Sequence, residues 1–361
     1  MTELTEILSQ LISFKTTDGR QSDFDNAFNF IGSLLNPLGL KKYEYSHNGI
    51  KSVVWSNSIN YLTSDILLSA HVDVVPGNDD QFLMLKADGK LWGRGVSDMK
   101  FAIASFAVIL KKLHQSGNMP PSIAVMITSD EEEGGINGTN YLVNQQTYRP
   151  KLVILPDGGE GFELVVESKG VLHLKCTTFG QAAHAAYPWD GSSAIDKLVY
   201  FLGELREIYP QPRHEVWENT VNIGQIVGGV QTNQVAEKAE ARLDFRLVPG
   251  TDVDELIGQL QGMTPDVVLE KIIVADPFTV NPKNKYIKRW LDIVKNETKI
   301  SSIIGSDHGT SDARFFSPHN IPVIMSKPIS GGDHSPSEWL DINSWQKFTL
   351  CLEKFLLSSS N

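Results

Sequence analysis

The stretch Ile66-Leu-Leu-Ser-Ala-His-Val-Asp73 runs almost wholly apolar and then ends in a histidine and an aspartate two residues apart. A short apolar run of this kind reads as a strand buried on both faces, as strands of parallel sheets are. Alternation along a strand puts the side chains of His71 and Asp73 on one face at its carboxyl end. The same order of apolar run and then acid returns twice. Ile123 to Thr128 leads into Ser129-Asp-Glu-Glu-Glu133, and Leu152 to Leu155 leads into Pro156-Asp157. Three buried strands that each close on an acid predict an α/β sheet, and in such sheets ligands gather beyond the carboxyl ends of the strands.

Outward from that core, Leu4, Ile7, Leu8, Leu11 and Ile12 recur at helical period. A second helix is predicted from about Ser22 to Leu35, a strand at 52–55 and a buried helix over Phe101 to Leu113. The expected core is therefore a mostly parallel sheet with helices on both faces. From Lys169 the pattern changes to strand 171–178, helix 192–208, strands 220–226 and 234–247, helix 252–260 and strand 267–274. That βαββαβ order is the ferredoxin-like α+β unit. Lys169-Gly170 and the segment Asp276-Pro277 to Asn281-Pro282 mark its ends. A helix at 286–296, a strand at 321–325 and a helix at 344–357 then return to the first domain. The expected division is a discontinuous catalytic domain, 1–168 with 281–361, interrupted by a smaller domain at 169–280.

Composition narrows the function. The 361 residues carry 32 Lys+Arg against 43 Asp+Glu, a formal charge of −11, which disfavours nucleic acid or an anionic membrane as the main partner. The longest apolar run, Phe101 to Leu110, is half of the ~20 residues a membrane helix needs, and no signal-peptide pattern opens the chain. Cys176 and Cys351 form neither a disulfide framework nor a CxxC pair, and two lone thiols suit a reducing cytoplasm.

The acids and histidines carry the chemistry. A metal-bound imidazole usually gives its second nitrogen to a carboxylate, so Asp73 is placed to orient His71, although an HxD pair at a strand end also occurs as a simple hydrogen-bonded pair. Asp98 stands in a glycine-bearing turn before the buried helix, where a carboxylate can equally be a cap. The run Asp130 to Glu133 is attached to a buried strand, and so many mutually repelling carboxylates there call for a cation. Asp157 and His334, the latter in a glycine-rich loop, complete a set of oxygen and nitrogen ligands at one sheet edge. With no thiolate among them, two divalent ions are expected, Zn first, with Co or Mn as substitutes. A serine hydrolase has no GxSxG to support it.

The segments HVDVVPG (71–77), GRGVSDMK (93–100), TSDEEEGG (128–135), AHAAYPWDGSSAI (183–195), GTSDARFF (309–316) and DHSPSEW (333–339) occur in order over nearly the whole chain. Together they resemble the zinc-dependent amidohydrolases that include acetylornithine deacetylase, succinyl-diaminopimelate desuccinylase, carboxypeptidase G and aminoacylase. The resemblance implies that His71 and Asp157 hold one metal ion, Glu132 and His334 the other, and that Asp98 bridges them. It implies a cis peptide at Asp98-Met99, Glu131 as general base and Asp73 as the orienting residue. His184 would stabilise the oxyanion from a partner subunit, through a small domain that serves as lid and dimer contact. Asn233, Arg246, Gly309 and Thr310 would grip the substrate's carboxylate. The implied activity is amide hydrolysis of an N-acyl amino acid, with a metallo-exopeptidase acting on small peptides as the alternative. Three positions depart from the family's habit: Phe101 follows the DMK triplet where glycine is common, Asp157 stands where many relatives have Glu, and Ser168-Lys169-Gly170 lacks the arginine pair of desuccinylases.

Overall fold

The computed structural model describes residues 2–301 and 303–358. The chain divides into two compact units. The first comprises Met1–Val166, Thr279–Asp307 and Ser311–Asn361, and the second comprises Glu167–Phe278 with His308–Thr310.

In the first unit, helices α1 (Glu3–Ser13) and α2 (Gln21–Leu35) precede the hairpin of β1 (Lys41–His47) and β2 (Ile50–Ser56), and β3 (Ile66–His71) follows. Two short strands, β4 (Leu85–Ala87) and β5 (Lys90–Trp92), lead to helix α3 (Lys100–Gln115), then β6 (Ile123–Thr128) and β7 (Val153–Ile154). The main sheet has the order β1-β2-β6-β3-β7, closed by strand Val323–Ile324. β6, β3, β7 and Val323–Ile324 run parallel, whereas β1 and β2 are antiparallel. Every residue of β3 and β6 is buried, as their near-continuous apolar runs require. β1 was not expected, because Lys41-Lys-Tyr-Glu-Tyr-Ser-His47 is a half-exposed edge strand with no apolar run.

Helix Lys285–Thr298 packs against the closing strand, and helix Ile342–Leu357, capped by Asp341, packs on α3. Phe101 meets Phe348 edge to face at 5.8 Å, and Trp290 contacts both Phe348 and Phe355. Phe101 is fully buried there, so the bulky side chain that replaces a common glycine serves as a core residue. Lys100 is also buried, and its Nζ donates to the carbonyls of Leu11 (3.1 Å) and Phe14 (2.8 Å) at the end of α1. Each of those carbonyls also accepts one backbone N–H, Leu11 O from Phe14 and Phe14 O from Thr16, so Lys100 supplies a second donor at the helix end.

A second, small sheet was not foreseen, since strands of two or three residues carry no readable period. It places Ser330–Gly331 beside Trp339–Asp341, then β5 and β4. Trp339 pairs with Trp92 across it.

The second unit contains β8 (Gly170–Phe179), α4 (Ala194–Ile208), β9 (Thr220–Gly228), β10 (Lys238–Leu247), α5 (Val253–Met263) and β11 (Val267–Ala275). Its sheet is antiparallel throughout, in the order β9-β10-β8-β11. Leu174, Cys176, Phe201, Leu205, Leu243 and Leu256 belong to the core between this sheet and the two helices. The strand expected from Gln234 begins only at Lys238. Val235 N–H goes to Ala183 O and Ala236 O accepts from Ala194 N–H, so this stretch bonds a neighbouring loop instead of continuing β10. Both cysteines are buried and free. Among the described residues no helix is long and apolar enough to cross a membrane.

Candidate active site

All the expected metal ligands lie in the first unit, and the main and small sheets bring them together. His71 is the last residue of β3, Asp157 follows β7, and Glu131 and Glu132 open a tight turn after β6. β5 runs into the turn that carries Asp98, and the loop between Ser330–Gly331 and Trp339–Asp341 carries His334. The peptide Asp98-Met99 is cis.

Asp98 is the centre of the cluster. Its Oδ1 lies 3.0 Å from His71 Nε2 and its Oδ2 lies 3.1 Å from His334 Nε2. Asp157 Oδ1 is 3.6 Å from His71 Nε2, and Glu132 Oε2 is 3.0 Å from His334 Nε2. Two ligand groups result, His71/Asp98/Asp157 and Asp98/Glu132/His334, each with its donor atoms within 4.8 Å of one another. Two imidazoles and three carboxylates, one of them common to both groups, are a donor set suited to borderline or hard divalent ions.

Asp73 acts differently from a simple carboxylate partner. His71 Nδ1 bonds the backbone carbonyl of Asp73 at 3.0 Å, with the carboxylate Oδ1 at 3.5 Å. The other carboxylate oxygen accepts the N–H of Glu132 at 2.9 Å. One residue therefore aims the imidazole and braces the backbone of a second ligand.

The electrostatics follow from burying acids together. Burial raises Asp98, yet the imidazoles of His334 and His71 hold it well below the ordinary carboxylate range. Burial lifts Asp157 to about 6 against the pull of His71. Glu131 is raised well above its usual value by burial, with Asp157 adding to the effect. A carboxyl so placed holds a proton more readily than a surface glutamate does, as a general base near neutral pH must. His334 rises to about 10 through its bonds to Asp98 and Glu132.

Behind the acidic turn lies a second layer, in which Asp130, the first acid of the run, bonds backbone instead of facing the ligand groups. Asp130 Oδ2 accepts the N–H groups of Asn137 (2.8 Å) and Gly138 (3.1 Å). Asp312 accepts from Thr139 Oγ1, and Arg314 donates to Gly134 O. Gly135, at φ +64°, has no room for a side chain, because a Cβ would lie 2.0 Å from Asp312 Oδ1. Lys327 is buried and pairs with Asp333 at 2.5 Å, next to His334. Asp130, Asp312, Arg314 and Asp333 stand in the segments quoted from the sequence, whereas Thr139 and Lys327 lie outside them and join the layer only through the fold.

The remaining expected residues lie in the second unit. His184 is exposed and its Nδ1 accepts the N–H of Ala186, while Ala185 N–H bonds Asn233 O, so the His184 and Asn233 loops are joined. A groove of about 730 Å³ is lined by residues of the same loops, among them Ala185, Gly229 and Gln234. Arg246 forks onto Asp244, with Nε at 3.0 Å and Nη2 at 3.1 Å. Gly309 and Thr310 belong to this unit, next to His308, whose Nε2 lies 3.0 Å from Glu215.

Two histidines and two further carboxylates gathered around a shared aspartate make a site suited to divalent ions, at the carboxyl end of an α/β sheet. Residues 67–358 match Peptidase family M20/M25/M40, and the chain belongs to that family of hydrolytic enzymes acting on amide bonds. Succinyl-diaminopimelate desuccinylase of Rickettsia bellii is 28% identical, with 99% of this chain and 97% of the relative covered. Among solved structures, a tripeptidase of Staphylococcus aureus superposes with a TM-score of 0.82 at 19% identity, covering 100% of this chain and 99% of the other. An M20 family metallo-carboxypeptidase of Sulfolobus solfataricus also gives 0.82, at 17% identity and full coverage of both chains.

Proposed function

We propose that the chain is a dinuclear hydrolase of N-acyl amino acids, with His71, Asp98 and Asp157 holding one divalent ion and Asp98, Glu132 and His334 the other. The observation that carries this reading is the reach of one carboxylate, Asp98, to both Nε2 atoms at 3.0 and 3.1 Å. Bound there, two ions, Zn first and Co or Mn in its place, supply Lewis acidity and a water whose pKa is lowered to ~7. Glu131 takes the proton of the attacking water as the C–O bond forms. It then delivers that proton to the amine nitrogen as the C–N bond breaks, leaving a carboxylic acid and an amino acid. Asp73 keeps the His71 imidazole aimed and so fixes which nitrogen faces the ion.

The second unit acts in this proposal as a lid and as the contact of a cytoplasmic homodimer. β9 is an edge strand with Ile226 and Val227 exposed, and Val199 and Tyr200 on α4 are exposed as well. Apolar side chains on an unpaired edge suit pairing with a second copy. His184 of that second copy supplies a donor to the oxyanion, and Asn233, Arg246, Gly309 and Thr310 hold the substrate's carboxylate. The desuccinylase relative supports an acyl amino acid as substrate, whereas Lys169 in place of an arginine pair argues for an acyl group or amino acid other than succinyl-diaminopimelate.

The test is a panel of N-acetyl and N-succinyl amino acids, dipeptides and tripeptides offered to Zn- and Co-loaded protein. Turnover of N-acyl amino acids is expected, and hydrolysis of peptides alone would establish the exopeptidase instead. Glu131→Gln should lower kcat by about 10²–10⁴-fold with ion content unchanged. Parental turnover in that variant would remove Glu131 from the mechanism.

A further inference from the structure

Two loops distant in sequence must be held in register for Asp98 to serve both ligand groups, and one side chain spans them. β5 leads into the Gly93–Asp98 turn, and the strand Trp339–Asp341 that pairs with β5 follows the His334 loop. Glu338 immediately precedes that strand, four residues after His334, and is 1% exposed. Its carbonyl accepts Gly93 N–H at 3.2 Å, which continues the sheet ladder into the turn. Its carboxylate then accepts four donors from the turn itself. Oε2 takes Arg94 Nη1 (2.8 Å) and Gly95 N–H (2.9 Å). Oε1 takes Ser97 N–H (2.9 Å) and the N–H of Asp98 (3.2 Å). Gly95 sits at φ +85°, where a Cβ would meet Val74 Cγ1 at 2.9 Å, so the turn is shaped to fold around the carboxylate.

We infer that Glu338 is a positioning residue that clasps the Asp98 turn to the His334 loop and so sets the geometry in which Asp98 is shared between two ions. This rests on the metal-centre reading above. Every hydrogen bond of the carboxylate is with an N–H donor. An ionised carboxylate can accept four hydrogen bonds, and those from N–H groups to a charged oxygen are the stronger kind. Glutamine has the same shape but would turn an NH₂ toward two N–H groups, leaving donors unpaired in a buried site. The turn would then relax, and the Asp98 carboxylate, attached to one of those N–H groups, would move with it. Arg94 contributes to the clasp, and with it neutralises the glutamate without competing for the ions.

The experiment uses the full chain stripped of metal and titrated with Zn²⁺ against a chromophoric chelator. Glu338→Gln is expected to weaken Zn²⁺ binding about 10–100-fold, the range seen when groups that orient metal ligands are lost. The visible spectrum of the Co²⁺-loaded variant should shift, and kcat should fall with KM changed by no more than about twofold. Arg94→Gln, which leaves the three backbone donors in place, should show the same changes in smaller measure, and it decides the matter if Glu338→Gln does not fold. Phe355→Ala is the control for a structural role, since it removes a buried ring from the helix pair Lys285–Thr298 and Ile342–Leu357 without touching the turn. It should lower Tm and leave Zn²⁺ affinity and the Co²⁺ spectrum as in the parent. Parental Zn²⁺ affinity and Co²⁺ spectrum in both clasp variants would overturn the inference, as would an equal loss in Phe355→Ala. A parent that binds no Zn²⁺ would overturn the metal-centre reading, and this inference with it.

Discussion

Asp312 shows how a buried carboxyl beside the acidic turn couples stability to pH. Its Oδ2 accepts from Thr139, but its Oδ1 has no hydrogen-bond partner and faces the backbone at Gly135. Burial pushes its pKa up to about 7, with Asp130 nearby adding to the shift and the Thr139 bond and Arg314 opposing it. The folded carboxyl is thus protonated at pH values where the unfolded one, at an ordinary 3.8, is charged. Between those values folding takes up a proton, so this residue's contribution is undiminished below pH 4 and is lost as pH rises toward 7 and above. Asp312→Asn removes that slope. Relative to the parent, the metal-free variant should gain on the order of 2 kcal/mol in unfolding free energy on going from pH 5 to pH 8, read from urea titrations. A parent-to-variant difference that does not change with pH would show that Asp312 stays ionised in the fold. Little in the chain marks this residue, because GTSDARFF reads as a motif while the burial of its aspartate depends on Thr139 and Gly135, some 170 residues away.

At the scale of elements, what could be read in the chain depended on length and burial. The fully buried strands β3 and β6 announce themselves as apolar runs, and each leads straight into residues of the candidate site, β3 at His71 and β6 a few residues before Glu131 and Glu132. For that reason His71, Glu131, Glu132 and Asp157 could be picked out together. The short strands β4, β5, Ser330–Gly331 and Trp339–Asp341 have too few residues to show alternation, although they hold the Asp98 and His334 loops side by side. Glu338 escaped notice for the same reason, since its role follows from pairing with β5 and not from its neighbours in sequence. Phe101 was an oddity in the sequence and becomes intelligible once α3 is seen against helix Ile342–Leu357. It is fully buried against Phe348, so Phe101→Ala should cost about 3–5 kcal/mol through lost burial and the cavity left behind. Thermal and urea unfolding would measure this. A loss below about 1 kcal/mol would mean that the helix pair repacks freely.

At the scale of the whole molecule, the distribution of residues between the two units makes a prediction that neither unit makes alone. Glu131 and the five residues proposed as ligands belong to the first unit, while His184 belongs to the second and is exposed in a loop joined to that of Asn233. If His184 acts on the substrate held by a second copy, a chain lacking the base and a chain lacking His184 should repair one another. Glu131→Gln and Ala substitution of His184 each leave the other residue intact. Mixed by unfolding and refolding together in equal amounts, they should form heterodimers in half of the population, and in each heterodimer one of the two sites is complete. Activity should return to about a quarter of the parent's, from near zero in either variant alone. Placing Asp at Val227, on the exposed edge of β9, should lower the molar mass toward that of a single chain and abolish the repair. If instead each chain used its own His184, the mixture would stay inactive, because every site would lack one of the two groups whichever chains were paired.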